Sequence, residues 1–210
     1  MTDWIRTSRD LGAHRTKELS VQLLLFLIAG TGMALYLRAP AWGELLLGLG
    51  MTLSGILLAA TIGYLGWLNR FAPVIEVATY ALFRWLILQD AGPEKAAWIG
   101  FWASASWLIL TFALVLIIWR KSGDSPVDER ILWEMDTPHP FGPLNLALGL
   151  SRIAMETGYC LLAASRPELA LAPLGLYLCG REWRYPLAVR QLTHMALSFP
   201  ILVVGIGISL

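Results

Sequence analysis

The chain has 210 residues, of which 57% are hydrophobic and only 15% are charged. Ordinary soluble domains contain about 25% charged residues, so this composition indicates a membrane protein. The formal net charge of +1 gives no basis for nucleic-acid binding. Two stretches, 51–67 and 96–119, contain no charged residue at all. Because about 20 helical residues cross the hydrocarbon layer of a bilayer, the sequence predicts an all-α, polytopic transmembrane helical bundle.

Six or seven spans are predicted in chain order. The candidate segments are 20–37, 44–68, 72–89, 96–119, 141–164, 169–191 and 193–210. The third and sixth are the least apolar, and whether 169–191 crosses completely is left open. Residues 1–19 are predicted to be a charged cytoplasmic tail. Residues 20–210 are predicted to be a single transmembrane domain with a charged, proline-containing loop at 120–140.

Basic residues in the short joints predict the orientation, because cytoplasmic loops are enriched in Lys and Arg. With the N-terminus inside, the cytoplasmic side has Arg6, Arg9, Arg15, Lys17, Arg70, Arg120, Lys121, Arg130, Arg181, Arg184 and Arg190. The other side has Arg38, Lys95 and Arg166. We therefore expect a multi-pass membrane protein with a cytoplasmic N-terminus.

Ionisable side chains inside predicted spans are candidates for function, because they are costly at membrane depth and usually face the bundle interior. Arg152 and Glu156 are four residues apart on one helix face and could pair with each other. Alternatively, they line a polar pocket. Glu76 and Arg84 share a face of the third segment and could each reach a different neighbour.

A second polar group, 179–194, contains Arg181, Arg184, Arg190 and His194. One interpretation is a cytoplasmic loop that follows the positive-inside rule. The other is a docking surface for a soluble partner, or a site for a quinone headgroup, since Arg, Tyr and His can hydrogen-bond quinone carbonyls. Cys160 and Cys179 are isolated, and no hydrolase, metalloprotease or nucleotide-binding motif is present. The sequence therefore predicts no catalytic residue and no metal site.

Several patches resemble a known family. They are Ser20-Val21 with LLLFLIAGTGMAL, LSGILLAATIGYLGWLNRF at 53–71, Arg84-Trp85-Leu86 with Gln89, TPHPFGPLNLALGL at 137–150, and REWRYPLAVRQ at 181–191. In this order they resemble the membrane-anchor subunit of DMSO-reductase-type molybdoenzymes. This chain departs from the family in being shorter. Tyr64 stands where the family has a His implicated in quinol binding, and Gln89 stands where it has a Glu.

The resemblance implies a membrane anchor that docks an iron–sulfur subunit and a molybdopterin catalytic subunit and exchanges electrons with quinone. It implies no directly bound cofactor other than a quinone, either menaquinone or ubiquinone. The candidates at the quinone headgroup are Tyr64, Arg70, Gln89, Arg152 and Glu156. The candidates for partner docking are Arg181, Arg184, Arg190 and His194. The other partner of the chain is membrane lipid.

Two other functions are compatible with the same sequence. A small transporter or channel subunit would use Glu76, Arg152 and Glu156 as an intramembrane polar path. A structural or assembly subunit of a respiratory or photosynthetic complex would have no site of its own. On each of the three readings the chain is expected to work within or across a membrane.

Overall fold

The computed structural model describes residues 7–64, 72–121, 142–171 and 187–209. These residues form six α-helices and one short 3₁₀ helix, and no strand occurs among them. We number the helices α1 (Ser8–Tyr36), α2 (Trp42–Tyr64), α3 (Ala72–Leu88), α4 (Pro93–Lys121), α5 (Pro143–Ser165) and α6 (Leu187–Ser209). The 3₁₀ helix, Pro167–Leu171, directly follows α5 and is called η1.

The start of α1 is fixed by a capping box. The Thr7 side chain accepts a hydrogen bond from the backbone N–H of Asp10, and the Asp10 carboxylate accepts one from the backbone N–H of Thr7. Such reciprocal bonds satisfy backbone donors that the first turn leaves unpaired. The helix therefore begins at Ser8, well before the predicted start at residue 20, and includes much of the predicted charged tail.

The other boundaries agree with the predicted segments to different degrees. α3 and α5 lie within a few residues of the predicted ranges 72–89 and 141–164. α6 begins at Leu187, before the predicted 193. Most of the predicted segment 169–191 lies outside the described residues, as does most of the loop 120–140. The count of six or seven spans therefore stays a prediction.

Helix α5 is the centre of the structure. It packs against α1, α3, α4, α6 and η1, while α4 packs against α1, α2 and α5. Small residues allow the closest approaches: a Cβ added to Gly100 on α4 would lie 2.6 Å from the Glu156 carbonyl oxygen on α5. A Cβ added to Gly158 on α5 would lie 2.8 Å from the Leu202 Cα on α6. Close packing through small residues is typical of helices that associate in membranes.

Contacts between helix termini define two ends of the bundle. At the first end, Gly12 near the start of α1 packs against Trp119 near the end of α4, and Asn145 at the start of α5 contacts α1. At the second end, the Trp98 indole N–H donates to the Arg38 carbonyl oxygen, which joins α4 to the segment after α1. Helices α1, α3 and α5 thus run from the first end to the second, and α2 and α4 run in the opposite direction.

Three helices, α1, α4 and α5, are long and apolar enough to cross a membrane. Among the described residues, shorter apolar stretches lie at Trp42–Leu58 and Ala196–Ser209. This finding supports the predicted membrane association of the chain. The finding is based on helix length and composition, and the positions of polar and apolar side chains in α1 also support membrane association.

Helix α1 buries several polar side chains and exposes several leucines. Its buried residues include His14, Glu18 and Gln22, which are spaced by four and therefore share one face. Its exposed residues include Leu24 and Leu27, the latter with 69% of its surface accessible. A soluble protein usually buries its leucines and exposes its charges. The described part of this chain therefore presents an apolar surface suited to lipid.

Candidate functional site

An ion pair between α3 and α5 lies inside the bundle. The Arg84 guanidinium on α3 donates to the Glu156 carboxylate on α5. Arg84 is only 2% exposed, whereas its neighbours Leu82 and Trp85 are 51% and 42% exposed. Side chains in a helix lean toward its N-terminus, so Arg84 reaches from the second end back toward the middle of α5. The pair therefore joins two helices within the apolar part of the structure.

Two further side chains complete this group, which we call the arginine–glutamate cluster (Arg84, Glu156, Tyr159 and Cys160). The Arg84 guanidinium lies 5.3 Å from the centre of the Tyr159 ring, a distance at which a cation interacts with an aromatic face. Cys160 is a buried free thiol on the same helix as Glu156. Glu156 keeps 27% of its side-chain surface accessible, so the carboxylate is the member of the cluster that an incoming molecule could reach.

The interpretation that Arg152 pairs with Glu156 is wrong, because Glu156 pairs with Arg84 instead. The Arg152 guanidinium stacks on the Trp107 ring of α4, 3.8 Å from the ring centre. The Arg152 carbonyl oxygen also accepts a hydrogen bond from the Ser104 hydroxyl at 3.3 Å. The spacing of four does put Arg152 and Glu156 on one face of α5, but each contacts a different neighbouring helix. For Arg84, the expectation that it reaches a neighbouring element is confirmed.

A second polar group joins α1 to α5 near the first end. The Gln22 amide donates to the Asn145 side-chain oxygen at 2.6 Å, and the Asn145 amide donates to the Glu18 carbonyl oxygen at 3.2 Å. Glu18 is held by Arg15 at 2.6 Å. Asn145, Gln22 and Glu18 are all buried. These bonds satisfy polar atoms between two helices, so this α1–α5 polar cluster stabilises the fold in the way expected of buried amides.

A third polar group closes the second end. Arg38, just after α1, pairs with Glu44 of α2 and lies 3.6 Å from Glu94 of α4. The Glu44 carboxylate also accepts a hydrogen bond from the Ala41 backbone N–H at 2.9 Å, which caps the start of α2. This group holds the starts of α2 and α4 against the end of α1. Its position at a helix junction favours a structural role.

The structure does not bring the quinone candidates Tyr64 and Gln89 together. Tyr64 ends α2 at the first end, whereas Gln89 is exposed in the turn after α3 at the second end. Since α2 has 23 residues, the two positions are separated by roughly 30 Å along the bundle. Arg152 and Glu156 lie between them on α5. One headgroup therefore cannot contact both Tyr64 and Gln89.

The remaining candidates cannot be compared with the structure at the level of side chains. Arg70, Arg181 and Arg184 lie outside the described residues. Arg190 and His194 belong to α6, whose backbone alone is described at these positions. The proposed docking surface of Arg181, Arg184, Arg190 and His194 therefore stays a prediction.

Within the ranges that the structure describes, no three His, Cys, Asp or Glu side chains are grouped in a way that could hold a metal ion. The polar groups in these ranges are instead ion pairs, hydrogen-bonded amides and two cation–π contacts. Chemically, such groups can hold a charge or a hydrogen-bonding headgroup in an apolar environment.

Two of these contacts had a recognisable signal in the sequence. His14, Glu18 and Gln22 recur at a spacing of four, which marks one polar helix face pointing inward. Asn145 follows Pro143 at the start of an apolar helix, and a buried amide there needs a partner. The choice of Arg84 as the partner of Glu156 had no local signal, because the two residues are 72 positions apart.

No protein-family model matches the chain, and no curated protein or solved structure is similar to it at a significant level. The candidate function must therefore be argued from the residues and the contacts described above.

Proposed function

We propose that this chain is a polytopic integral membrane protein that serves as the membrane-anchor subunit of a quinone-linked oxidoreductase. Its helices cross the bacterial inner membrane as a bundle with the N-terminus in the cytoplasm. The chain itself is a non-catalytic subunit that docks an iron–sulfur subunit, which passes electrons to or from a molybdopterin subunit.

One observation carries the membrane part of the proposal. Leu27 on α1 and Leu82 on α3 face outward, while Glu18 and Arg84 on the same helices are buried. In water this arrangement would expose large apolar surfaces and would require desolvation of charge. In a bilayer it places apolar side chains against lipid and polar ones against each other. The bias of basic residues toward one side supports the orientation.

The quinone part of the proposal is supported by the sequence resemblance and by the position of Glu156. Its carboxylate is part-exposed, with the Arg84 guanidinium buried behind it. A carboxylate can accept a proton as quinol is oxidised, its protonated form can donate one as quinone is reduced, and an adjacent arginine can hold the group in place. We therefore assign Glu156 as the residue that contacts the headgroup. Tyr64 and Gln89 cannot both join it in one site.

The test of the anchor function is purification of the tagged chain from its own host in mild detergent, followed by mass spectrometry and iron and molybdenum assays. Recovery of an iron–sulfur subunit together with molybdenum would support the proposal. Recovery of the chain alone, or among unrelated membrane subunits, would contradict it.

The orientation is tested independently by fusing to the N-terminus a reporter that is active only in the cytoplasm. We expect this fusion to be active, and an inactive fusion would contradict the orientation.

The role of Glu156 is tested by Glu156→Gln, which keeps the shape of the side chain and removes its charge. The new amide can still accept a hydrogen bond from Arg84 but leaves the Arg84 charge uncompensated, so we expect a lower thermal midpoint. In the complex that does fold, we expect weaker binding of a quinone analogue. Glu94→Gln is the matched control, because Glu94 lies at the second end and is about half exposed. Equal binding by both variants would contradict the assignment.

A transporter subunit is the second candidate, favoured by the same buried ion pair of Arg84 and Glu156. Charged residues inside helical bundles often mark substrate or proton pathways. This candidate predicts substrate-dependent flux when the chain alone is reconstituted in vesicles. An electron-transfer anchor should show no such flux without its partners.

A further inference from the structure

The exposed charges at the two ends of the bundle differ in sign. At the first end, every exposed charged residue whose side chain is described is basic, and these residues are Arg9, Lys17, Arg120 and Lys121. At the second end, basic and acidic residues are exposed in equal number, and they are Arg38, Lys95, Arg166, Asp90, Glu94 and Glu168. Arg38 lies 3.6 Å from Glu94, and Arg166 lies 3.9 Å from Glu168. The chain therefore balances its own charge at the second end but not at the first.

Two helix ends extend the first end beyond the start of α5. Asn145 donates to the Glu18 carbonyl oxygen, so these two residues lie at one level of the bundle. Helix α1 begins ten residues before Glu18, whereas α5 begins two residues before Asn145, so α1 starts roughly 12 Å past the start of α5. Trp119 of α4 packs against Gly12 in this part of α1. We call these two helix ends, 8–12 of α1 and 119–121 of α4, the basic projection.

Helix α6 also begins at the first end. The Ser165 and Ser209 hydroxyls lie 2.9 Å apart, and a Cβ added to Gly158 would lie 2.8 Å from the Leu202 Cα. The final turns of α5 and α6 are therefore neighbours, and the two helices run parallel. The backbone of Arg190, in the first turn of α6, is consequently at the first end. One member of the predicted docking surface thus lies at the same end as the basic projection.

The level of the basic projection favours a soluble protein over lipid as its partner. Exposed apolar side chains of α4 continue to Ile117, and Arg120 and Lys121 follow only after Trp119. Because Trp is enriched where membrane meets water, the charges that follow it lie on the aqueous side. Among the described residues, no carboxylate forms an ion pair with Arg120 or Lys121. An acidic protein surface would supply the complementary charge.

We propose that the first end of the bundle is the surface on which a soluble subunit docks, and that the docking face of this subunit is acidic. The inference rests on the proposed function, because it gives a place and a charge to the partner that this function requires. Carboxylates of the partner pair with Arg120 and Lys121, whereas the balanced charges of the second end offer no net attraction. Complementary charges of this kind speed association and make it sensitive to salt.

The experiment reverses two exposed charges at one end and measures the iron–sulfur subunit that is recovered with the tagged chain. The variant is Arg120→Glu/Lys121→Glu, and the matched control is Lys95→Glu/Arg166→Glu at the second end. We expect the iron recovered per chain to fall about tenfold in the first-end variant and to stay unchanged in the control, because like charges repel across an interface. Recovery with the wild type should also fall as salt rises from about 50 to 500 mM. The thermal midpoint shows whether each variant is folded.

The outcomes separate this inference from the proposed function. A wild-type chain purified without an iron–sulfur subunit would refute both together. Retention of the subunit in the first-end variant, or equal loss in the variant and the control, would overturn the inference alone. Retention combined with loss of co-purified phosphatidylglycerol would overturn it as well, and would assign the basic residues to anionic lipid. If the first-end variant does not fold, Arg120→Gln/Lys121→Gln replaces it, and wild-type recovery that does not change with salt would overturn the inference.

Discussion

The polar side chains in the two halves of α5 have different kinds of partner. In the second half, backbones approach closely at Gly158, and the charge of Glu156 is met by Arg84 from another helix. In the first half, Asn145 forms neutral amide bonds to α1, and Arg152 has an aromatic partner in place of an anion. The second half therefore pairs opposite charges between two helices, whereas the first half uses neutral hydrogen bonds and a cation–aromatic contact.

The two halves should therefore respond differently when one polar side chain is lost. Removing one partner of a charge pair between packed helices is strongly destabilising, because the other partner is left uncompensated. Removing a neutral hydrogen-bonding partner costs less. The variants below test this difference, from the largest expected effect to the smallest.

Arg84→Leu should cause the largest loss of stability, about 3–5 kcal/mol, because Glu156 would be left without its cation. The measurement is the thermal midpoint and folded yield in detergent. The double variant Arg84→Leu/Glu156→Leu should recover much of the loss, since no buried charge remains. Arg166→Leu is the control, because Arg166 and its partner Glu168 are both about two-thirds exposed. An Arg84→Leu variant as stable as this control would refute the structural role of the pair.

Gly100→Ala should be the next most damaging, at about 1–3 kcal/mol, because a Cβ there would press on the α5 backbone. The added atom would lie 2.6 Å from the Glu156 carbonyl oxygen, so α4 and α5 would have to move apart. Gly50→Ala provides a matched comparison, since nothing lies within 4 Å of a Cβ at that position. If both variants melt at the same temperature, the close approach of α4 and α5 is incorrect.

Asn145→Leu should have the smallest effect of the three, about 1–2 kcal/mol, because the Gln22 amide loses its acceptor and the Glu18 carbonyl oxygen loses its second hydrogen bond. The same melting assay measures it. Asn145→Leu combined with Gln22→Leu should be less destabilising than the sum of the two single variants, since the apolar pair leaves fewer unpaired groups. Strict additivity would show that the two amides do not interact. Ser20→Ala on the exposed face of α1 serves as the control.

The resemblance to a molybdoenzyme anchor and the geometry of the arginine–glutamate cluster place the quinone headgroup site at different residues. The resemblance suggested one headgroup site that included Tyr64 and Gln89, which lie at opposite ends of the bundle. Glu156 is a better centre for such a site because it is both charged and part-exposed. The Glu156→Gln measurement therefore tests the function more directly than variants of either end.

The membrane association of the chain was indicated by its sequence alone. An apolar run as long as 96–119 is sufficient to cross the hydrocarbon layer, where a helix pairs all of its backbone groups internally. The ranges of α3 and α5 followed from the same pattern. Where α1 begins depended on a local signal as well, the capping box of Thr7 and Asp10, which the apolar pattern does not reveal.

Only the tertiary structure decided which polar groups meet. Spacing along α5 put Arg152 and Glu156 on one face and made them appear to be a pair. The actual partners, Trp107 for Arg152 and Arg84 for Glu156, come from α4 and α3. A periodic pattern specifies which face of a helix is polar, because it depends on the geometry of that helix alone. The partner on another helix depends on how the helices cross, and this is set by close contacts such as the one at Gly100.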